Sequence, residues 1–87
     1  MRSFALASFW ACYRILPEHI QKLADKQFRL FRENPSHPSL GFAPKGEVWT
    51  VEIGRGYRAI ARQRGDNYYW FWIGTHEAYN KLLRRLK

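Results

Sequence analysis

The residues best suited to chemistry lie in one short stretch. Arg58, Arg62 and Arg64 share one parity along Tyr57–Arg64, with Ile60 among them, and no acid interrupts 55–64. On a strand this parity places guanidinium groups on one face, about 7 Å apart for neighbouring pairs. Arg55 precedes them in Gly54-Arg55-Gly56. A planar guanidinium binds phosphate bidentately, so the row predicts phosphate contacts. The competing reading is a solvated sheet face whose charges block edge pairing. Arg58 can also pair with Glu47 or Glu52 across a hairpin.

His76 and Tyr79 stand three apart, on one face of a helix's first turn. An imidazole can act as general acid or base near neutrality, and a tyrosine beside it can orient a substrate. The structural alternative is a helix-start histidine packed on Trp72, with Tyr79 in the core. Lys45, just before a strand, is a further candidate for phosphate. His19 and His37 read as surface residues and Cys12 as a small core residue. Tyr68-Tyr69-Trp70-Phe71-Trp72 offers rings that can stack unpaired bases, although a strand covered on both faces needs the same bulk.

The elements that must carry these residues follow from the pattern. Arg2–Leu6 reads as a short strand. Ser8 is placed to cap a helix through Leu16, with Phe9, Cys12, Tyr13 and Leu16 on one face. Pro17 suits the first turn of a second helix, along which Ile20, Leu23, Ala24, Leu30 and Phe31 recur and which Asn34-Pro35 ends. These two helices predict a hairpin laid against a sheet. Ser36–Gly46 reads as a connection. Glu47–Ile53 alternates, with Trp49, Val51 and Ile53 opposite Val48, Thr50 and Glu52. Tyr57–Arg64 is its hairpin partner. Gly65-Asp66-Asn67 turns into Tyr68–Ile73, apolar on both faces. Thr75 can cap a last helix, His76 to Leu86, whose Lys81, Arg84 and Arg85, with Lys87, complement its C-terminus. The predicted order is β-α-α-β-β-β-α, an α+β sheet with helices packed on it.

Composition narrows the function. The 87 residues predict one domain, 1–87. Fifteen Lys and Arg against seven Asp and Glu give +8, which favours a polyanionic partner, nucleic acid before an acidic protein or a membrane surface. Cys12 is alone, so no internal disulfide and no cysteine-based zinc site is expected. The three histidines lack metal-ligand spacing. No apolar run is long enough to span a membrane, and Met1–Leu16 is too broken by Arg14 for a signal peptide. A reduced, cytoplasmic compartment is the expectation.

Several segments together resemble the RelE/ParE superfamily of bacterial type II toxins. They are Leu16-Pro17-Glu18-His19-Ile20 at the helix junction and Phe31-Arg32-Glu33-Asn34-Pro35-Ser36-His37-Pro38-Ser39-Leu40 in the connection. Trp49-Thr50-Val51 with Tyr57-Arg58-Ala59-Ile60 resembles the family's strand pair. Trp72-Ile73-Gly74-Thr75-His76-Glu77-Ala78-Tyr79 resembles its last-strand exit. The resemblance covers nearly the whole chain. It implies a small basic toxin neutralised by a cognate antitoxin protein. It further implies a ribosome-dependent endoribonuclease, a hydrolase that cuts mRNA in the A site by attack of the 2′-hydroxyl on the adjacent phosphate. On that reading Arg58 stabilises the developing charge, His76 moves protons and Tyr79 positions or assists. Lys45, Arg55, Arg62 and Arg64 would hold mRNA and ribosomal RNA. Neither a metal nor a small-molecule cofactor is implied. Glu47 and Glu52 are possible bases, with strand pairing explaining them equally well. ParE-type members share the fold and inhibit DNA gyrase without nuclease activity, which is the alternative. A non-catalytic RNA-binding module is the third reading.

Overall fold

The structure, a computed structural model, describes residues 1–86. Nine elements follow in order: β1 (Arg2–Ala5), α1 (Ala7–Arg14), α2 (Glu18–Glu33), a 3-10 turn (Pro38–Leu40), β2 (Ala43–Lys45), β3 (Val48–Ile53), β4 (Tyr57–Arg64), β5 (Asn67–Thr75) and α3 (His76–Arg85). The strands form one sheet ordered β1-β5-β4-β3-β2, and β1 beside β5 is its parallel pair. The α+β class is as expected, with α1 and α2 on one face of the sheet and α3 on the other. Lys87 lies outside the described residues.

Four details differ from the sequence reading. The connection at 36–46 holds a 3-10 turn and a strand, because Ala43, Pro44 and Lys45 pair with Thr50, Trp49 and Val48. Pro44 is tolerated there because β2 is an edge strand. Ser8 does not cap α1. The Leu6 amide still donates to the Trp70 carbonyl at 2.9 Å, so strand pairing runs to the residue that begins the helix, and Leu6 takes the cap position with no side-chain bond. Leu23 is exposed rather than packed. Leu86 is the C-cap of α3 rather than part of it.

The alternation in β3 resolves into two cores. Val51 and Ile53 join Phe9, Ile20, Ala24, Phe31, Leu40, Tyr68, Trp70 and Ile73 under α1 and α2. Phe31 stands edge-on to Trp70, with ring centroids 5.3 Å apart. Burial of rings of this size contributes about 1.5–3 kcal/mol each, so this layer carries most of the fold's stability. On the opposite face a smaller core of Val48, Ile60 and Tyr79 is covered by Leu82 and Leu83 of α3 and by Leu86 at its C-cap. Gln27 ties the helical layer to the sheet. Its buried amide donates to the Ser39 carbonyl at 3.1 Å and to the Glu52 carbonyl at 2.9 Å.

One irregularity shapes the second face. Ile60 pairs with Trp72 but Ala61 pairs with Trp70, so Phe71 is an extra residue in β5. This β-bulge turns both Phe71 and Trp72 toward the α3 side, while Trp70 and Ile73 stay in the larger core.

Candidate functional site

The β3–β4 turn and the start of α3 meet at one end of the sheet. Gly54 takes a φ of 61°, which the tight turn requires and side chains resist. The Gly56 carbonyl accepts the His76 amide at 2.8 Å. Thr75 caps the helix, its hydroxyl accepting the Ala78 amide at 3.1 Å. His76 is therefore the first helical residue, and its side chain is exposed.

Beside it, register does what sequence separation conceals. Arg58 lies opposite Glu52 on β3 and opposite Gly74 on β5. Its guanidinium donates to the Glu52 carboxylate at 3.1 Å. The same guanidinium sits 5.2 Å from the centre of the Tyr79 ring. The His76 ring is 5.6 Å from that ring on its other contact. Glycine is needed at 74, since a Cβ there would stand 2.6 Å from the Trp72 indole. Glu52, Arg58, Tyr79 and His76 thus form one chain of contacts. The Arg58 side chain is 22% exposed, enough to meet a solvent-borne anion along one edge. Its Nε and the Tyr79 hydroxyl are buried with no hydrogen-bond partner among the described residues.

From His76 the polar surface continues along α3. His76, Asn80 and Arg84 recur at four-residue spacing and flank the apolar stripe of Tyr79, Leu83 and Leu86. The Asn80 amide nitrogen is 3.4 Å from Nδ1 of His76, a long contact whose polarity depends on the imidazole tautomer and the orientation of the carboxamide. Asn80 and Arg84 line a groove of about 570 Å³, facing Lys45, Glu47 and Arg62. Lys45 pairs with Val48, and Val48 belongs to the α3-side core, so Lys45 reaches the same face as Arg62. Three cations against one carboxylate make this groove an anion site in character.

The candidate residues of the sequence therefore divide. Arg58, His76 and Tyr79 come together, with Tyr79 buried at 3% exposure and touching both others by its ring. Lys45 and Arg62 meet in the groove. Arg55 is exposed in the turn that holds His76 by its neighbour Gly56. Arg64 stands at the far end of β4, with Leu6, Tyr69 and Phe71. Of the two pairings open to Arg58, Glu52 is the one formed, which leaves Glu47 beside the groove. Asn80 and Arg84 were not singled out as site residues; their four-residue spacing from His76 was the signal that carried them. Among the described residues no cluster of three or more His, Cys, Asp or Glu side chains is placed to hold a metal ion, and no helix is long and apolar enough to cross a membrane.

Comparison with known proteins bears on the fold. The family model of the ParE-like toxin domain matches residues 18–81. Among solved structures, the RelB-RelE antitoxin-toxin complex from Methanococcus jannaschii superposes with a TM-score of 0.73 at 13% identity, covering 91% of this chain and 96% of that one. YafQ from E. coli strain BL21(DE3) gives 0.71 at 10% identity, covering 88% and 94%. A YoeB/ParE toxin from Agrobacterium tumefaciens gives 0.67 at 18% identity, covering 87% and 99%. No curated protein sequence matches significantly.

Proposed function

From the premise that this chain belongs to the ParE-like toxin domain family, within the RelE/ParE superfamily of toxin–antitoxin systems, we propose that it is a ribosome-dependent mRNA endoribonuclease. Residues 1–87 act as one toxin domain in the cytoplasm, held inactive by a cognate antitoxin protein. The observation that carries the reading is the contact chain Glu52–Arg58–Tyr79–His76, with an exposed imidazole at one end and a partly exposed guanidinium against the same Tyr79 ring.

The chemistry follows from those side chains. The scissile phosphate sits against Arg58, whose fixed charge stabilises the phosphorane better than the ground state because its charge is greater. Glu52 and the Tyr79 ring hold the guanidinium in place beforehand, so little reorganisation remains at the moment of reaction. Asn80 can turn its carboxamide to accept from Nδ1–H of His76, which leaves Nε2 to face the substrate. The imidazolium then protonates the departing 5′-oxygen as the 2′-oxygen attacks. The proton of the attacking hydroxyl passes to water or to a phosphoryl oxygen. Tyr79 acts as a positioning residue through its ring. Lys45, Arg62 and Arg84 hold phosphates along the groove, and Arg55 meets RNA at the turn.

The test is to incubate the protein with mRNA-programmed ribosomes and map new ends by primer extension. Cuts at fixed positions within the A-site codon support the reading. Their absence, together with loss of gyrase supercoiling activity, would move the protein to the ParE-type alternative.

A further inference from the structure

The part of the sheet's second face that α3 leaves uncovered has a composition that the groove along α3 does not explain. Phe4 of β1 and Tyr69 of β5 are register partners with stacked rings, centroids 5.2 Å apart and planes 17° from parallel. Phe4 is 39% exposed and Leu6 41%. The bulge presents Phe71 on the same face, and the Arg62 guanidinium lies 5.3 Å from its ring centre. Leu6, Arg62, Arg64, Tyr69 and Phe71 line a groove of about 450 Å³ with no carboxylate in its lining. β4 is the central strand of the sheet, so edge protection accounts neither for these arginines nor for the half-exposed aromatic stack beside them.

We infer that this face is a stacking platform for an unpaired RNA base, formed by Tyr69 and Phe71, with Arg62 and Arg64 on the flanking phosphates. The inference rests on the RNA-cleaving reading and extends it to a second subsite. Charge complementarity selects the occupant, since arginines beside partly exposed rings suit a polyanion that also carries π faces. Continuity selects the strand. Arg62 lines both this groove and the one formed with Lys45, Asn80 and Arg84. Arg62 lies about 13 Å along β4 from Arg58, a distance that a few nucleotides of extended single strand cover. An RNA cut at Arg58 would therefore be gripped a few nucleotides away by a contact that tolerates any base but requires one.

Binding can be measured apart from cutting. The full-length His76→Ala protein is titrated into a labelled single-stranded RNA of about six nucleotides at low salt, with fluorescence anisotropy as the readout. The same RNA is then made abasic at each position in turn. One abasic position should weaken binding about tenfold, as expected for the loss of one stacked base. Tyr69→Ala should weaken intact RNA by a similar factor and abolish the abasic effect, and Tyr69→Phe should restore both. Abasic RNAs that bind as well as intact RNA would overturn the platform, leave a purely cationic surface and not touch the cleavage reading. No binding of intact RNA at all would also overturn it, with the ribosome assay deciding cleavage separately. Binding of a polyglutamate peptide through Tyr69, with none of RNA, would assign the face to an acidic protein and refute the inference.

Discussion

Replacement of Arg58 by alanine separates what this residue does for the fold from its role in the proposed reaction. In the fold it pairs with Glu52 at 3.1 Å and lies on the Tyr79 ring. The Glu52 side chain is 44% exposed, so its carboxylate rehydrates when the partner is lost, and the pair is worth no more than about 1 kcal/mol. The cation–π contact adds about 0.5–2 kcal/mol. Loss of the buried, unpartnered Nε offsets part of this. The net cost is about 1–2 kcal/mol, a fall of roughly 5–15 °C in Tm for a domain of this size. In the reaction, removal of a preorganised charge at the phosphorane costs about 2.7–4 kcal/mol, or 10²–10³ in rate. The assay is the single-turnover rate of mRNA cutting on ribosomes, run well below the variant's Tm as read by circular dichroism. Arg58→Lys should recover part of the rate, because charge returns without the planar fork. A folded Arg58→Ala protein that cuts within about threefold of the parent would refute the assignment.

Other outcomes follow from the same contacts. Gly74→Ala should destabilise the protein by about 1–3 kcal/mol, since its Cβ would press on the Trp72 indole, and the tryptophan emission should shift with it. Gln27→Leu keeps the volume but strips the Ser39 and Glu52 carbonyls of a buried donor; its urea midpoint should fall by the equivalent of about 1–3 kcal/mol with an unchanged m-value. Tyr13 donates to Asp25 at 2.8 Å, and burial, then the hydrogen bond and charge of Asp25, hold its phenol above the ordinary value of 10.0. At neutral pH Tyr13→Phe should cost about 1 kcal/mol. Above pH 10 the unfolded phenol ionises before the folded one, so parent stability falls as pH rises and the gap to Tyr13→Phe should narrow; parallel urea melts across that range check the sign.

What the sequence made legible depended on contrast between neighbours. Trp49, Val51 and Ile53 alternate with smaller or polar residues, so the faces of β3 could be read before any pairing was known. Phe71 could not be placed the same way. Every residue from 68 to 73 is apolar, so parity has no contrast there, and the bulge depends on a register set by β4. Ala43-Pro44-Lys45 has no strand pattern of its own and becomes a strand because β3 offers an edge. In the site, Arg58 and His76 stood out by residue type. Their proximity rests on Arg58 pairing opposite Gly74, two residues before the helix. Asn80 carries no chemistry that marks it alone; it matters because one helical turn brings it to Nδ1 of His76.

The measurement that bears most directly on the account is the chemistry of the new 3′ end of a ribosome-bound mRNA, compared between the parent and His76→Ala. Attack by the 2′-oxygen predicts a 2′,3′-cyclic phosphate, or the 3′-phosphate it opens to, with the parent, and little cut product with folded His76→Ala. A free 3′-hydroxyl end, or undiminished cutting by His76→Ala, would contradict it.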